Sequence, residues 1–412
     1  MISQFRFGIF LTIALMLFSV SAAKAHEGMH GTHADMGKSG KAMPAKPQLA
    51  TSVMFDTKGR LWQVSTRDGY VLVSYSDDKG KNFSIPAKVN RDPENIAAEG
   101  DNRPKIFANK DGSIYVSYTQ SLAKPYSGNI RFSRSIDGGK TFSEPITVND
   151  NREMISHRFD ALGVNERGQI YIAWLDKRDS SAAEKKGQKY TGAAVYYAVS
   201  ENGGERFSHN IQAAEHSCEC CRISMAIEPD GTPVIFWRHV YGKNVRDHAM
   251  LRLDGKSQPL RVTYDKWEVD ACPHHGPSMA ISSDGIYHFV WFDNAPGKNG
   301  LFYAHSMDGG KTFSSPMPFG NNGAQAAHPY VLSLGAKIFV VWKEFDGENA
   351  VVIAMSSENA GQTWSVSQRL AATAGSSDHP LLVADGATAY LSWNTAKEGF
   401  QLVKVPLEVA EK

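Results

Sequence analysis

The chain has 412 residues, 42% of them hydrophobic and 21% charged, and its 44 Lys and Arg against 43 Asp and Glu give a formal net charge of +1. That balance excludes nucleic acid and anionic membrane as partners recognised by bulk charge, and the apolar share is that of an ordinary globular chain.

At the N-terminus, Met1 to Arg6 is short and basic, residues 7–20 are almost wholly apolar, and Ala23-Lys24-Ala25 is a small-x-small cleavage pattern. This is the signature of a secretory signal peptide over residues 1–25. Its apolar run is short for a membrane span, and no Cys stands near the cleavage position to take a lipid. The mature protein is therefore expected to begin at His26 and to be soluble, in the periplasm of a cell with an outer membrane. Residues 26–48 form a flexible tail by composition, carrying His26, Met29, His30, His33, Met36 and Met43 among Gly, Ala and Lys. Such a segment cannot bury enough apolar surface to fold alone and reads first as a polar tether. It also reads as a copper collector, since imidazole suits Cu(II) and thioether suits Cu(I). A free amine and imidazole on His26 would chelate one ion together.

Beyond the tail, a pattern repeats. Ser135-Ile136-Asp137-Gly138-Gly139-Lys140-Thr141-Phe142 returns as Ser306-Met307-Asp308-Gly309-Gly310-Lys311-Thr312-Phe313, and in weaker form at 76–83, 200–207 and 357–364. Each copy lies between two short apolar runs, as a hairpin turn does. The Asp or Asn bonds amides of its own turn, the glycines take positive φ, and the closing aromatic plugs into a core. This SxDxGxTF/W pattern resembles the Asp box of sialidase-like β-propellers with bacterial neuraminidase repeats, over roughly residues 50–405. The resemblance implies an all-β fold of four-stranded antiparallel blades over residues 49–412; it does not fix an activity.

Aligned on the boxes, the sequence divides into seven modules, with first strands starting near Thr51, Pro104, Arg158, Arg222, Pro277, Pro329 and Pro380. Sialidases have six blades, so a six-bladed count stays open beside seven. The seventh module runs out after its third strand, and a strand from just before Thr51 is expected to complete it. With the boxes on one face, the loops entering the first strands border the central channel on the other. The residues there are Asn102, His157, Cys221, His275, His328 and His379. Imidazole recurring at one radial position predicts a metal site, against the alternative that repeats share a structural histidine.

All four cysteines belong to this region. Cys218, Cys220 and Cys221 enter module four, and Cys272 enters module five beside His274 and His275. An even Cys count in an exported chain allows disulfides, for example from Cys272 to the first group. Mixed thiol and imidazole equally suits a soft metal, with copper expected and zinc the alternative.

The resemblance also implies a hydrolase reading, because sialidases bind a substrate carboxylate with three arginines and use a Tyr with a Glu and an acidic Asp. Arg103, Arg158 and Arg222 do enter successive first strands. No acid and no Tyr–Glu pair can be assigned from the sequence, so no catalytic residue is named. A third reading is a protein-binding propeller, with the polar insertion at 177–192 as a contact loop or simply a solvated, mobile one. The expectation is an exported copper-handling propeller that binds metal at its tail and channel mouth, with a periplasmic protein as possible partner.

Overall fold

The computed structural model describes residues 48–407. The expected signal peptide, the expected tail with His26, Met29, His30, His33 and Met36, and residues 408–412 lie outside the described residues.

Seven antiparallel sheets follow one another in chain order, at 52–88, 105–147, 157–217, 224–261, 278–319, 327–373 and 381–404. They are called blades 1 to 7 below. The first six have four strands, blades 3 and 4 being joined through a single pairing of Ser217 with His239. The protein is an all-β propeller, and the first strands begin within a few residues of the starts predicted from the repeat. Among the described residues blade 7 has three strands, and the fourth expected from the chain before Thr51 falls largely on residues outside them. Leu49 and Thr51 accept hydrogen bonds from Asn394 Nδ2 on the second strand of blade 7.

The second strand of each blade is a run of β-branched and aromatic residues that fits a sheet covered on both faces, such as Ile170–Asp176, which is buried throughout. In blades 3 to 7 it carries a large apolar anchor: Trp174, Trp237, Trp291, Trp342 and Trp393 are all fully buried. These indoles contribute much of the apolar area that holds neighbouring blades together.

The repeat turns lie between third and fourth strands. Ser135 Oγ donates to Asp137 Oδ1 at 2.7 Å and accepts from Gly139 N at 2.9 Å, while Asp137 accepts from the Thr141 amide and hydroxyl. Those donors hold the Asp137 carboxyl below the usual carboxylate range. Gly139, at φ 77°, is required twice over: a Cβ there would lie 2.5 Å from Trp62 in blade 1. Gly361 packs the same way on Tyr303 of blade 5. Each of these turns thus docks on the preceding blade, which is why the pattern tracks the ring.

First strands stand side by side at the centre. Ser52 Oγ donates to Pro104 O, Met279 N to Ser224 Oγ, and Val331 N to Ser278 Oγ, each bond crossing to the next blade. The loops that enter them are therefore neighbours. The 177–192 insertion is not a bare loop, since it contains a helix, Arg178–Lys185, fastened by Arg178 to Asp150 and Asp176 and by Tyr196 Oη to Asp179.

Candidate metal centre

Two clusters form where one mixed His/Cys site was expected. The first is made of thiols. Cys218, Cys220 and Cys221 are buried, with Cys218 Sγ 3.8 Å from Cys220 Sγ and 3.7 Å from Cys221 Sγ. Sulfurs joined in a disulfide stand roughly 2.05 Å apart, whereas sulfurs sharing one ion at roughly 2.3 Å stand about 3.8 Å apart in tetrahedral geometry. The observed spacing fits a shared ion. Cys272, half-buried, packs against the same group.

Charge around these sulfurs suits thiolates. S–H donation from Cys220 and Cys221, followed by Arg238 and Arg246, holds Cys218 well below the usual thiol range, while the two donors are pushed up. Both arginines are buried, and each leaves NH1 without a hydrogen-bond partner. Arg238 spends its other nitrogens on His248 Nε2 and on the carbonyls of His275 and Phe292, so no carboxylate hydrogen-bonds it among the described residues.

The second cluster is made of imidazoles. His275 and His328 have ring centroids 4.8 Å apart, and His328 stacks on His379 at 3.6 Å. His379 Nδ1 lies 3.2 Å from Asp101 Oδ1, which also accepts from Arg222 NH1 at 3.1 Å. Asp101 Oδ2 accepts from Gly276 N. Burial works against ionisation of Asp101, but Arg222 and His379 outweigh it and hold the carboxyl well below its usual value. Burial pushes the His275 imidazole down to about 3, and His328 well below its usual value. Both rings are thus neutral at physiological pH, and Nδ1 of each is buried with no hydrogen-bond partner. Neutral imidazole with an unused nitrogen is the form that binds metal.

The clusters adjoin. Cys221 of the first is followed directly by Arg222 of the second, and Cys272 lies three residues before His275. His274 is exposed between them.

His157 departs from the expected register. It is completely buried, with Nδ1 2.8 Å from Gly128 O and Nε2 3.8 Å from Asp176, away from the other three imidazoles. The reason is a β-bulge. Phe159 and Asp160 both face Trp174 in blade 3, as His328 and Pro329 both face Trp342 in blade 6, and Phe159 and His328 share a left-handed φ of 59° and 54°. Phe159, not His157, is therefore the counterpart of His328. Asn102 is buried as well, its Oδ1 accepting from Thr119 Oγ1 and Phe159 N. Asp101, one residue earlier, is the group that reaches the imidazoles. Shifting the register by that one residue would have found it.

These contacts predict opposite behaviour for two histidines. His157→Ala should cost about 1–3 kcal/mol of fold stability, the penalty of breaking a buried hydrogen bond, and leave copper binding unchanged. His328→Ala should weaken Cu(II) binding with a smaller change in melting. Calorimetry paired with copper titration separates them, and loss of copper in His157→Ala alone would reverse the assignment.

No family model and no curated relative matches the chain. Among solved structures, it is similar to the polysaccharide lyase Uly1, with a TM-score of 0.54 at 12% identity over 90% of this chain and 92% of that one. A protein of unknown function from Dyadobacter fermentans gives 0.53 at 15% identity, covering 77% of this chain and 95% of its own. A Hadza microbial sialidase gives 0.49 at 15% identity, over 84% and 73%. Identities this low establish the fold and nothing about the chemistry.

Proposed function

We propose that this protein is an exported copper-binding β-propeller serving copper handling or tolerance. The observation that carries the reading is the trio of buried sulfurs 3.7 and 3.8 Å apart. Cysteine thiolates hold Cu(I), with Cys272 as an outer fourth sulfur. His275, His328 and His379, with Asp101 ordering the last of them, form the harder imidazole set that suits Cu(II). The His/Met tail collects the ion, and the mouth exchanges it with a periplasmic protein. Copper is preferred to zinc because the tail supplies thioethers and because Cu(II) outranks Zn(II) at most nitrogen and sulfur sites.

Hydrolysis of a sialoside is the second reading, and the arginines weigh against it. Both NH groups of Arg103 are spent on Asp378, Arg222 is held by Asp101 and two carbonyls, and Arg158 lies 3.6 Å from Glu99. A substrate carboxylate would have to displace these partners.

The test is metal analysis of purified mature protein with and without residues 26–47, alongside a fluorogenic sialoside assay. Copper retained by the truncated form, and no turnover above buffer, is the expected result. Zinc in place of copper would overturn the metal, and a truncated form that holds neither would confine the reading to the tail.

A further inference from the structure

Beside the mouth, three carboxylates meet between blades 4 and 5. Asp247 lies on the third strand of blade 4, Asp265 follows that blade's last strand, and Asp293 lies on the second strand of blade 5. One oxygen from each comes within 4.8 Å of the others. The side chains of Asp247 and Asp293 are fully buried and that of Asp265 is 4% exposed. Two have counter-charges, Arg261 on Asp247 and Lys298 on Asp265 at 2.7 Å. Asp293 differs. Its Oδ1 accepts from Ala295 N, but its Oδ2 is buried with no hydrogen-bond partner.

A buried carboxylate oxygen with no partner, aimed at two more carboxylates, is a costly arrangement unless something positive sits among them. The donors are all oxygen, with no thiol or imidazole in the group, which excludes the soft preference of the mouth and suits a hard divalent cation. Carboxylates drawn from two blades on loops and strand ends form a flexible cage of the kind calcium accepts, rather than the rigid octahedron that magnesium demands.

We infer that Asp247, Asp265 and Asp293 form a calcium-class cation site that fastens blade 4 to blade 5. It bridges two sheets whose apolar contact already includes Phe236 and Phe289 at 4.9 Å, so its occupancy adds an ionic clamp to an existing seam.

The indole of Trp291 donates to Asp265 Oδ2 at 3.3 Å, which provides the readout. Terbium, a hard-ion probe for calcium, is titrated into metal-free mature protein with tryptophan excitation. Saturable sensitised emission displaced by Ca2+ is expected, with affinity falling at least about tenfold in Asp293→Asn. Ca2+ at about 100 times its dissociation constant should also raise the melting midpoint by roughly 3–4 °C for a domain of this size. Asp265→Asn serves as the second variant should the first fold poorly. Absence of sensitised emission in the wild-type protein, or emission and calcium stabilisation that both variants retain in full, would overturn the assignment.

Discussion

Replacing Cys221 by Ser in mature protein lacking residues 26–47 is expected to lower Cu(I) affinity by at least about 100-fold, the upper end of what even an outer-shell loss costs at a metal site. Cys221 is buried with its sulfur 3.7 Å from Cys218, so neither solvent nor another side chain replaces it when the thiol is lost. A hydroxyl is a hard donor and gives a soft ion little. Cys272→Ser should cost less, because that sulfur stands half-buried at the edge of the group. Competition against a chromogenic Cu(I) chelator measures both. Loading should release protons, since the pushed-up thiols Cys220 and Cys221 must ionise to bind. The melting midpoint of the apo variant guards against a trivial cause, and Cys221→Ala provides the same test without a buried hydroxyl. Unchanged affinity in both Cys221 variants would mean that the thiol trio is scaffold.

The fold was legible because its unit is short and repeated. A turn that must bond its own amides and fit a glycine against the preceding blade tolerates few residue types, so Ser135, Asp137 and Gly139 leave a readable trace. The tryptophans within the second strands leave another. At the mouth, sequence reasoning found the right loops but not the right atoms. His157 and His328 look equivalent when counted back from the next strand, and a bulge that begins at Phe159 in one blade and at His328 in the other moves them two residues apart. Bulges carry no sequence signature of their own. Asp101 went unread because Asn102 beside it fitted the repeat count better. The separation of thiols from imidazoles was also out of reach, because it depends on which way neighbouring side chains point from Cys221-Arg222.

Arg103→Met is expected to destabilise the propeller by about 3–5 kcal/mol, the cost of removing one partner from a buried ion pair. Arg103 donates NH1 to Asp378 Oδ2 at 2.6 Å and NH2 to Asp378 Oδ1 at 2.7 Å, with the two side chains 5% and 4% exposed. The same guanidinium donates to Thr51 O and Gly100 O, and Thr51 N donates to Asp378 Oδ2. One fork therefore ties the entries of blades 1, 2 and 7, where the first and last blades of the chain meet. Losing it leaves Asp378 charged, buried and short of two donors. With an unfolding entropy of about 2 cal/mol/K per residue, a domain of this size should melt roughly 4–7 °C lower. The double variant Arg103→Met with Asp378→Leu should recover much of that loss, because the penalty lies in the orphaned charge more than in the missing bond. A second effect follows from Gly100, which Arg103 holds one residue before Asp101. A Cβ at Gly100 would lie 3.0 Å from His379, so this loop sits directly against the imidazole stack. Loosening it should weaken Cu(II) binding in the single variant, and the double variant should regain stability without regaining the copper site. A single variant that melts like the parent would show that the ring ends are held without this fork, by the apolar contact of Phe55, Leu61, Val383 and Tyr390 and by the Asn394 hydrogen bonds to Leu49 and Thr51.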